Sequence, residues 1–176
     1  LEYQQVSFPP RGWGFQLKGW YILSQEDKGT IVMVHGLDSN KGSSGVGALE
    51  IARDLHQQGF TILMFDLRAH GESEGDSFSG GFFEQDDVLG ALDYLVEERG
   101  TPLGRIGLMG FSMGAATVLL TAAKEPRVAG VVADSSFADI RDLIVVEASD
   151  RIGLPQWATR LLMPGMVTMA RLSYRI

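Results

Sequence analysis

The sequence predicts an α/β fold: a mostly parallel sheet with an antiparallel N-terminal edge and flanking helices. Three observations predict it. Short, nearly uninterrupted apolar runs stand at 30–34, 61–65, 106–109 and 128–133. Segments of helical period separate them. The 22 glycines collect where a strand meets a helix or a loop. Apolar runs of this length, bounded by turns, suit strands buried on both faces, and their alternation with helices implies crossover units and parallel pairing.

The elements follow in order. Residues 3–8 and 14–23 read as two strands around Pro9, Pro10, Arg11 and Gly12. The second alternates loosely and is aromatic, as expected of an antiparallel strand at a sheet edge. After the run at 30–34, residues 45–58 predict a helix with Val46, Leu49, Ile51, Ala52 and Leu55 on one face. After the run at 61–65, residues 83–98 predict a second helix, with Val88, Leu92, Leu95 and Val96 at helical spacing. A third helix starts at Ser112. Beyond Asp134 the pattern changes to a helix over 138–149 and a helical, methionine-rich piece over 154–176, with no further strand signal.

Composition narrows the function. A chain of 176 residues suits one domain with a sizeable core, and 45% hydrophobic with 21% charged residues is ordinary for a globular protein. The net charge of −7 offers no basic stripe for phosphates, which argues against nucleic acid. The absence of cysteine excludes disulfides and thiolate chemistry. No run approaches the length of a membrane span. Composition does not set the compartment. The expectation is a cytoplasmic protein, or one anchored through a removed segment ahead of Leu1.

The segment Gly110-Phe111-Ser112-Met113-Gly114 carries the chemistry. An apolar strand precedes it and an Ala-, Leu- and Thr-rich helix follows. That context marks G-x-S-x-G as a turn that exposes a serine nucleophile, with the helix start aiming free N–H groups at the site. The competing reading is that Ser112 only caps the helix. Gly71-Glu72-Ser73-Glu74-Gly75 matches the same pattern but leads into a polar loop, so it is read as a loop. Acyl transfer needs two donors for the developing oxyanion. The N–H of Met113 is one. The loop His35-Gly36-Leu37-Asp38-Ser39-Asn40 supplies the other, best from Leu37.

His35, His56 and His70 all precede Ser112. At the end of a buried strand, His35 reads as a brace for its loop rather than a base. Asp66, Arg68 and His70 read as an ionic, hydrogen-bonded turn, since no third metal ligand is suggested by spacing. His56 reads as a solvated side chain on a polar helix end.

These segments in this order resemble the α/β-hydrolase superfamily, and more closely its serine-aminopeptidase-like and monoacylglycerol-lipase-like bacterial branch. Asp134-Ser135-Ser136-Phe137-Ala138-Asp139 is a further matching piece. The resemblance spans about 14–140 and is specific for the superfamily, not for a substrate. It implies residues 1–137 as the N-terminal part of the core and 138–176 as the start of a helical cap. In that family the acid and the histidine follow the serine in chain order. The resemblance therefore implies that the last strands, the usual acid and the histidine lie outside this sequence. Asp134 is a substitute acid, with capping of the Ser135 and Ser136 loop as its competing role.

The implied activity is hydrolysis of small acyl substrates, esters or amides, through an acyl-enzyme on Ser112, with no cofactor and no metal. The alternative is a non-catalytic binding or scaffold protein on the same fold. The 176 residues alone are expected to turn over little or nothing. The apolar stretch 154–170 reads either as the lining of an acyl pocket or as core. Self-association is expected if a sheet edge and an apolar face are left open.

Overall fold

The structure is a computed structural model that describes residues 1–176 except 27, 138, 140–144, 147, 150, 151, 175 and 176. The chain divides into two compact units, Leu1–Ser136 and Phe137–Ile176.

In the first unit the elements run β1 (Gln4–Phe8), β2 (Leu17–Ile22), β3 (Thr30–Val34), α1 (Ala48–Gln57), β4 (Thr61–Phe65), α2 (Glu84–Glu97), a 3₁₀ turn (Leu103–Arg105), β5 (Ile106–Phe111), α3 (Met113–Lys124) and β6 (Gly130–Asp134). The strands form one sheet in the order β1-β2-β4-β3-β5-β6. Pairing is parallel from β4 through β6 and antiparallel for β1–β2 and β2–β4. The expected α/β architecture is present.

Three strand readings change, one of them that β6, read as a strand buried on both faces, lies at the far edge of the sheet among the described residues and is largely exposed. β2 is not an edge strand: it pairs with β1 on one side and β4 on the other, so β1 forms the edge. Its loose alternation reflects one buried face and one half-buried face. The last strand begins at Gly130 rather than 128. Ala129 donates to the Ile106 carbonyl at 2.8 Å just before the regular ladder starts.

Alternation divides the core between the two faces of the sheet. Ile22, Met33, Ile62 and Met64 pack with Ala48 and Ala52 of α1. The opposite face carries Phe65, whose ring lies 5.4 Å from Phe8, which stacks in turn on Tyr94 of α2 at 5.1 Å. The helix faces are narrower than predicted: Val46 precedes α1, and it is exposed, as is Val96 of α2. At the far end of the sheet β6 is largely exposed, together with Leu119 and Leu120 of α3.

Register positions the loops. Val34 pairs with Phe65 on one side and Gly110 on the other, and Phe111 pairs with Asp134. The carboxyl ends of the four parallel strands therefore lie side by side. From β3 the chain moves to β4 on one side, then crosses to β5 on the other. The boundary between β3 and β5 is thus the point where strand order reverses, the place where open α/β sheets bind ligands.

In the second unit the expected helix over 138–149 lies largely outside the described residues. Helix α4 (Gln156–Tyr174) contains Pro164, which cannot donate a helical hydrogen bond. Thr159 and Ser149 bury a shared hydrogen bond of 2.9 Å. Met163 is buried, but Trp157, Leu161, Leu162 and Met169 are exposed. Among the described residues here, most large apolar side chains are therefore exposed.

Candidate active site

The turn between β5 and α3 depends on close backbone approach. A Cβ on Gly110 would collide with the Gly114 carbonyl, and one on Gly114 would collide with the carbonyl oxygens of Val34 and His35. No other residue fits either position without moving backbone. Between them Ser112 sits at φ 53° and ψ −115°. That conformation costs a non-glycine residue about 1–3 kcal/mol and persists only where the surroundings over-determine it. The locks are visible: Ser112 N–H donates to the Asp134 carbonyl at 2.9 Å, and Ser112 O accepts from Ala115 and Ala116 at 3.0 and 3.2 Å. Its hydroxyl makes no capping hydrogen bond, and the residue is exposed. The plain helix-cap role therefore does not describe this serine. Met113 opens α3, where first-turn N–H groups have no helical partner.

The loop after β3 abuts this turn. A methyl on Gly36 would stand 3.2 Å from Ser112 Cβ and 3.2 Å from the Phe111 carbonyl oxygen. Leu37 follows in a turn, and Asp38 has φ 52°. His35 braces the loop. Its Nδ1 lies 2.7 Å from the Gly36 carbonyl, and its Nε2 accepts the Leu67 N–H at 3.0 Å. This pairing makes the ring the neutral Nδ1–H tautomer. Burial holds its pKa down to about 4. With both ring nitrogens engaged, His35 is not disposed to take a serine proton.

The turn after β4 is ionic, as expected, but its partners come from elsewhere. The fully buried Asp66 carboxylate accepts from Lys41 Nζ at 2.6 Å, from Lys41 N at 2.7 Å and from Glu72 N at 2.9 Å. Arg68 pairs with Asp87 of α2, with contacts at 2.7 and 2.9 Å, and lies over the rings of Trp13, Phe15 and Phe83. Burial pushes the Asp87 carboxyl up to about 6, against the pull of Arg68. His70 Nδ1 lies 2.8 Å from the Arg68 carbonyl, and its ring is 5.2 Å from that of His35. Ser73 donates to the Asp66 carbonyl at 2.6 Å, so the second G-x-S-x-G serine is spent on the loop. His56 departs from expectation: it is half-buried, with a Nδ1 that has no partner among the described residues. No group of three metal-ligating side chains occurs among the described residues.

Asp134 lies beside the turn through its register with Phe111. Its carboxylate is exposed and accepts from Ser135 Oγ at 2.8 Å, which ties it to its own loop.

Lys41, Asp87 and Glu72 were invisible as site residues. Lys41 and Asp87 have partners 25 and 19 positions away in sequence, and Glu72 adds a distant partner, Lys41, to its local bond with Asp66, so no local pattern announces these pairings.

Comparison with known proteins places the fold. The alpha/beta hydrolase fold family matches residues 29–162. Protein YqkD of Bacillus subtilis is 31% identical over 150 residues, covering 84% of this chain and 48% of that protein. Thiohydrolase aneE of Aspergillus aculeatus is 31% identical over 117 residues, 65% of this chain and 36% of that protein. Among solved structures, the Pyrococcus furiosus esterase Pf2001 superposes with a TM-score of 0.76 at 27% identity, covering 93% of this chain and 61% of that one. The chain spans about half the length or less of these curated relatives. Among the described residues, no helix is long and apolar enough to cross a membrane.

Proposed function

Because the chain belongs to the α/β-hydrolase family, we propose that it carries the nucleophile half of a serine hydrolase acting on small ester or amide acyl groups. The observation that carries the reading is Ser112: strained at φ 53°, exposed, and with a hydroxyl that caps nothing. An esterase and a thiohydrolase among the similar proteins support acyl chemistry. Membership of the serine-aminopeptidase-like and monoacylglycerol-lipase-like branch is part of the proposal.

In this reading Ser112 Oγ attacks the acyl carbonyl carbon and its proton passes to a histidine, which a carboxylate orients. The tetrahedral oxyanion is met by the N–H groups of Met113 and Leu37. Collapse expels the leaving group with that proton, and water then releases the acid and regenerates the serine. No histidine among residues 1–176 is assigned as the base: all three precede the serine, and His35 is engaged at both nitrogens. Asp134 is the nearest acid in register, but its carboxylate is bound to Ser135. These 176 residues alone therefore turn over esters little or not at all, and the base and acid belong to a longer form.

The test is labelling of Ser112 by a fluorophosphonate in a C-terminally longer form, with Ser112→Ala as control, beside ester hydrolysis by the 176-residue chain and by that longer form. Labelling lost in the alanine variant supports the reading. Equal labelling without the serine, or full hydrolysis by the 176 residues alone, overturns it. No labelling of the longer form favours a non-catalytic binding role.

A further inference from the structure

Residues 36–40, which include Leu37, are held at both ends by consecutive residues of one neighbouring strand end. At the near end His35 accepts the Leu67 N–H at 3.0 Å. At the far end Lys41 gives Asp66 both its backbone N–H, at 2.7 Å, and its ammonium, at 2.6 Å. The same ammonium reaches Glu72 at 2.5 Å, and the Glu72 N–H closes back onto Asp66 at 2.9 Å. Trp20 roofs the lysine, its ring centroid 5.0 Å from Nζ. A methyl on Gly42 would touch that ring at 2.9 Å, and one on Gly71 would strike the Asp66 carboxylate. The loop therefore has little room to shift while the pair is intact.

Lys41 and Asp66 are buried, with side chains 5% and 0% exposed. Burial opposes the lysine's charge, but hydrogen bonds to Asp66 and Glu72 outweigh it and hold its pKa above the ordinary value. A buried pair of this kind is weak evidence of added stability, because desolvation offsets much of the attraction. Its geometry has another consequence. The pair joins the loop after β3 to the turn after β4, and the loop leads through Gly36 to the backbone of Phe111 and Ser112.

We infer that Lys41, through Asp66, is a positioning residue that holds the Leu37 N–H in place beside Ser112. The inference rests on the serine-hydrolase reading for its chemical purpose, but the clamp itself is measurable without it. Lys41 touches no reacting atom. It acts by removing freedom from a donor that must be in place before charge develops on the substrate oxygen.

The experiment, run in the C-terminally longer form used for labelling, compares wild type, Lys41→Met and the double variant Lys41→Met with Asp66→Asn. The double variant leaves no unpaired buried charge, so it keeps the question open if the single variant fails to fold. Leu92→Ala, which empties space in the core under α2, controls for general loss of stability. Backbone ¹⁵N relaxation reads the order of the Leu37 N–H, and fluorophosphonate labelling reads Ser112. The expected order parameter is about 0.85 in wild type and in Leu92→Ala, and below about 0.6 in both Lys41 variants, with strand amides unmoved. Labelling slows about 100-fold in the same two variants, the scale of a small misplacement. Unchanged order at Leu37 in both Lys41 variants overturns the inference, as does equal loss in Leu92→Ala. Order lost without slower labelling overturns the positioning role. If wild type and Ser112→Ala label alike, the serine-hydrolase reading fails, while relaxation still decides the clamp.

Discussion

Replacing Ser112 by glycine should make the protein more stable. The serine is held at φ 53° and ψ −115°, a region that costs an L side chain about 1–3 kcal/mol. Glycine adopts it freely, but adds about 0.5–1 kcal/mol of unfolded-state entropy. No capping hydrogen bond is lost, because the hydroxyl makes none. The difference is a gain of about 1 kcal/mol, or roughly 2–4 °C in Tm for a chain of this size. Ser112→Ala separates strain from chemistry: it keeps the Cβ and the strain, so its stability should stay within about 0.5 kcal/mol of wild type. The assay is urea unfolding of the three proteins followed by circular dichroism, with thermal melts as a second measure. In a C-terminally longer form, both variants should lose fluorophosphonate labelling. A glycine variant no more stable than the alanine variant would refute the argument that strain is stored at this turn.

Gly114→Ala should destabilise by about 3 kcal/mol or prevent folding, since its methyl meets the Val34 and His35 carbonyls rather than a movable side chain. Urea midpoints measure it, and a neutral result would mean that the turn is looser than its contacts indicate. Arg68→Met should cost about 3–5 kcal/mol by stranding the buried Asp87 carboxylate, and adding Asp87→Leu should recover most of that loss. A double-variant stability as low as the single one would contradict this account. His35 has a folded-state pKa of about 4 against an ordinary 6.5, so between those values the unfolded chain binds the extra proton. Its contribution is full above about pH 6.5 and is lost as pH falls towards 4, by up to about 3 kcal/mol. The stability of wild type relative to His35→Gln should fall by that amount across the window, and a pH-independent difference would rule out a buried neutral ring.

The sheet was legible because its signals are local. Four apolar runs, at 30–34, 61–65, 106–109 and 128–133, correspond to β3, β4, β5 and β6, and the helical periods between them to α1, α2 and α3. The same holds for the turn at Ser112: two glycines, a preceding strand and a following helix all lie within a few residues of it. What failed was non-local. An aromatic, loosely alternating β2 reads as an edge, yet whether a strand's second edge is paired depends on β4, which lies some 40 residues away in sequence. Asp66, Arg68 and His70 read as one ionic turn, and His70 does bond the Arg68 carbonyl, but the charges of Asp66 and Arg68 pair with Lys41 and Asp87. His56 on its polar helix end looked solvated, and packing half-buried it.

By itself the sequence determined the alternation of strands and helices, the turn that raises Ser112, and the chain order that leaves every histidine ahead of it. Those properties follow from steric limits and periodicities that act over a few residues. Tertiary structure alone decided the strand order that sets β3 beside β5 at the reversal point, bringing Gly36 so near that a methyl on it would stand 3.2 Å from Ser112 Cβ. It also decided which buried charges pair. The physical reason is common to both: burial removes water as an alternative partner, so each strand edge and each charge must find its complement wherever the folded chain delivers it.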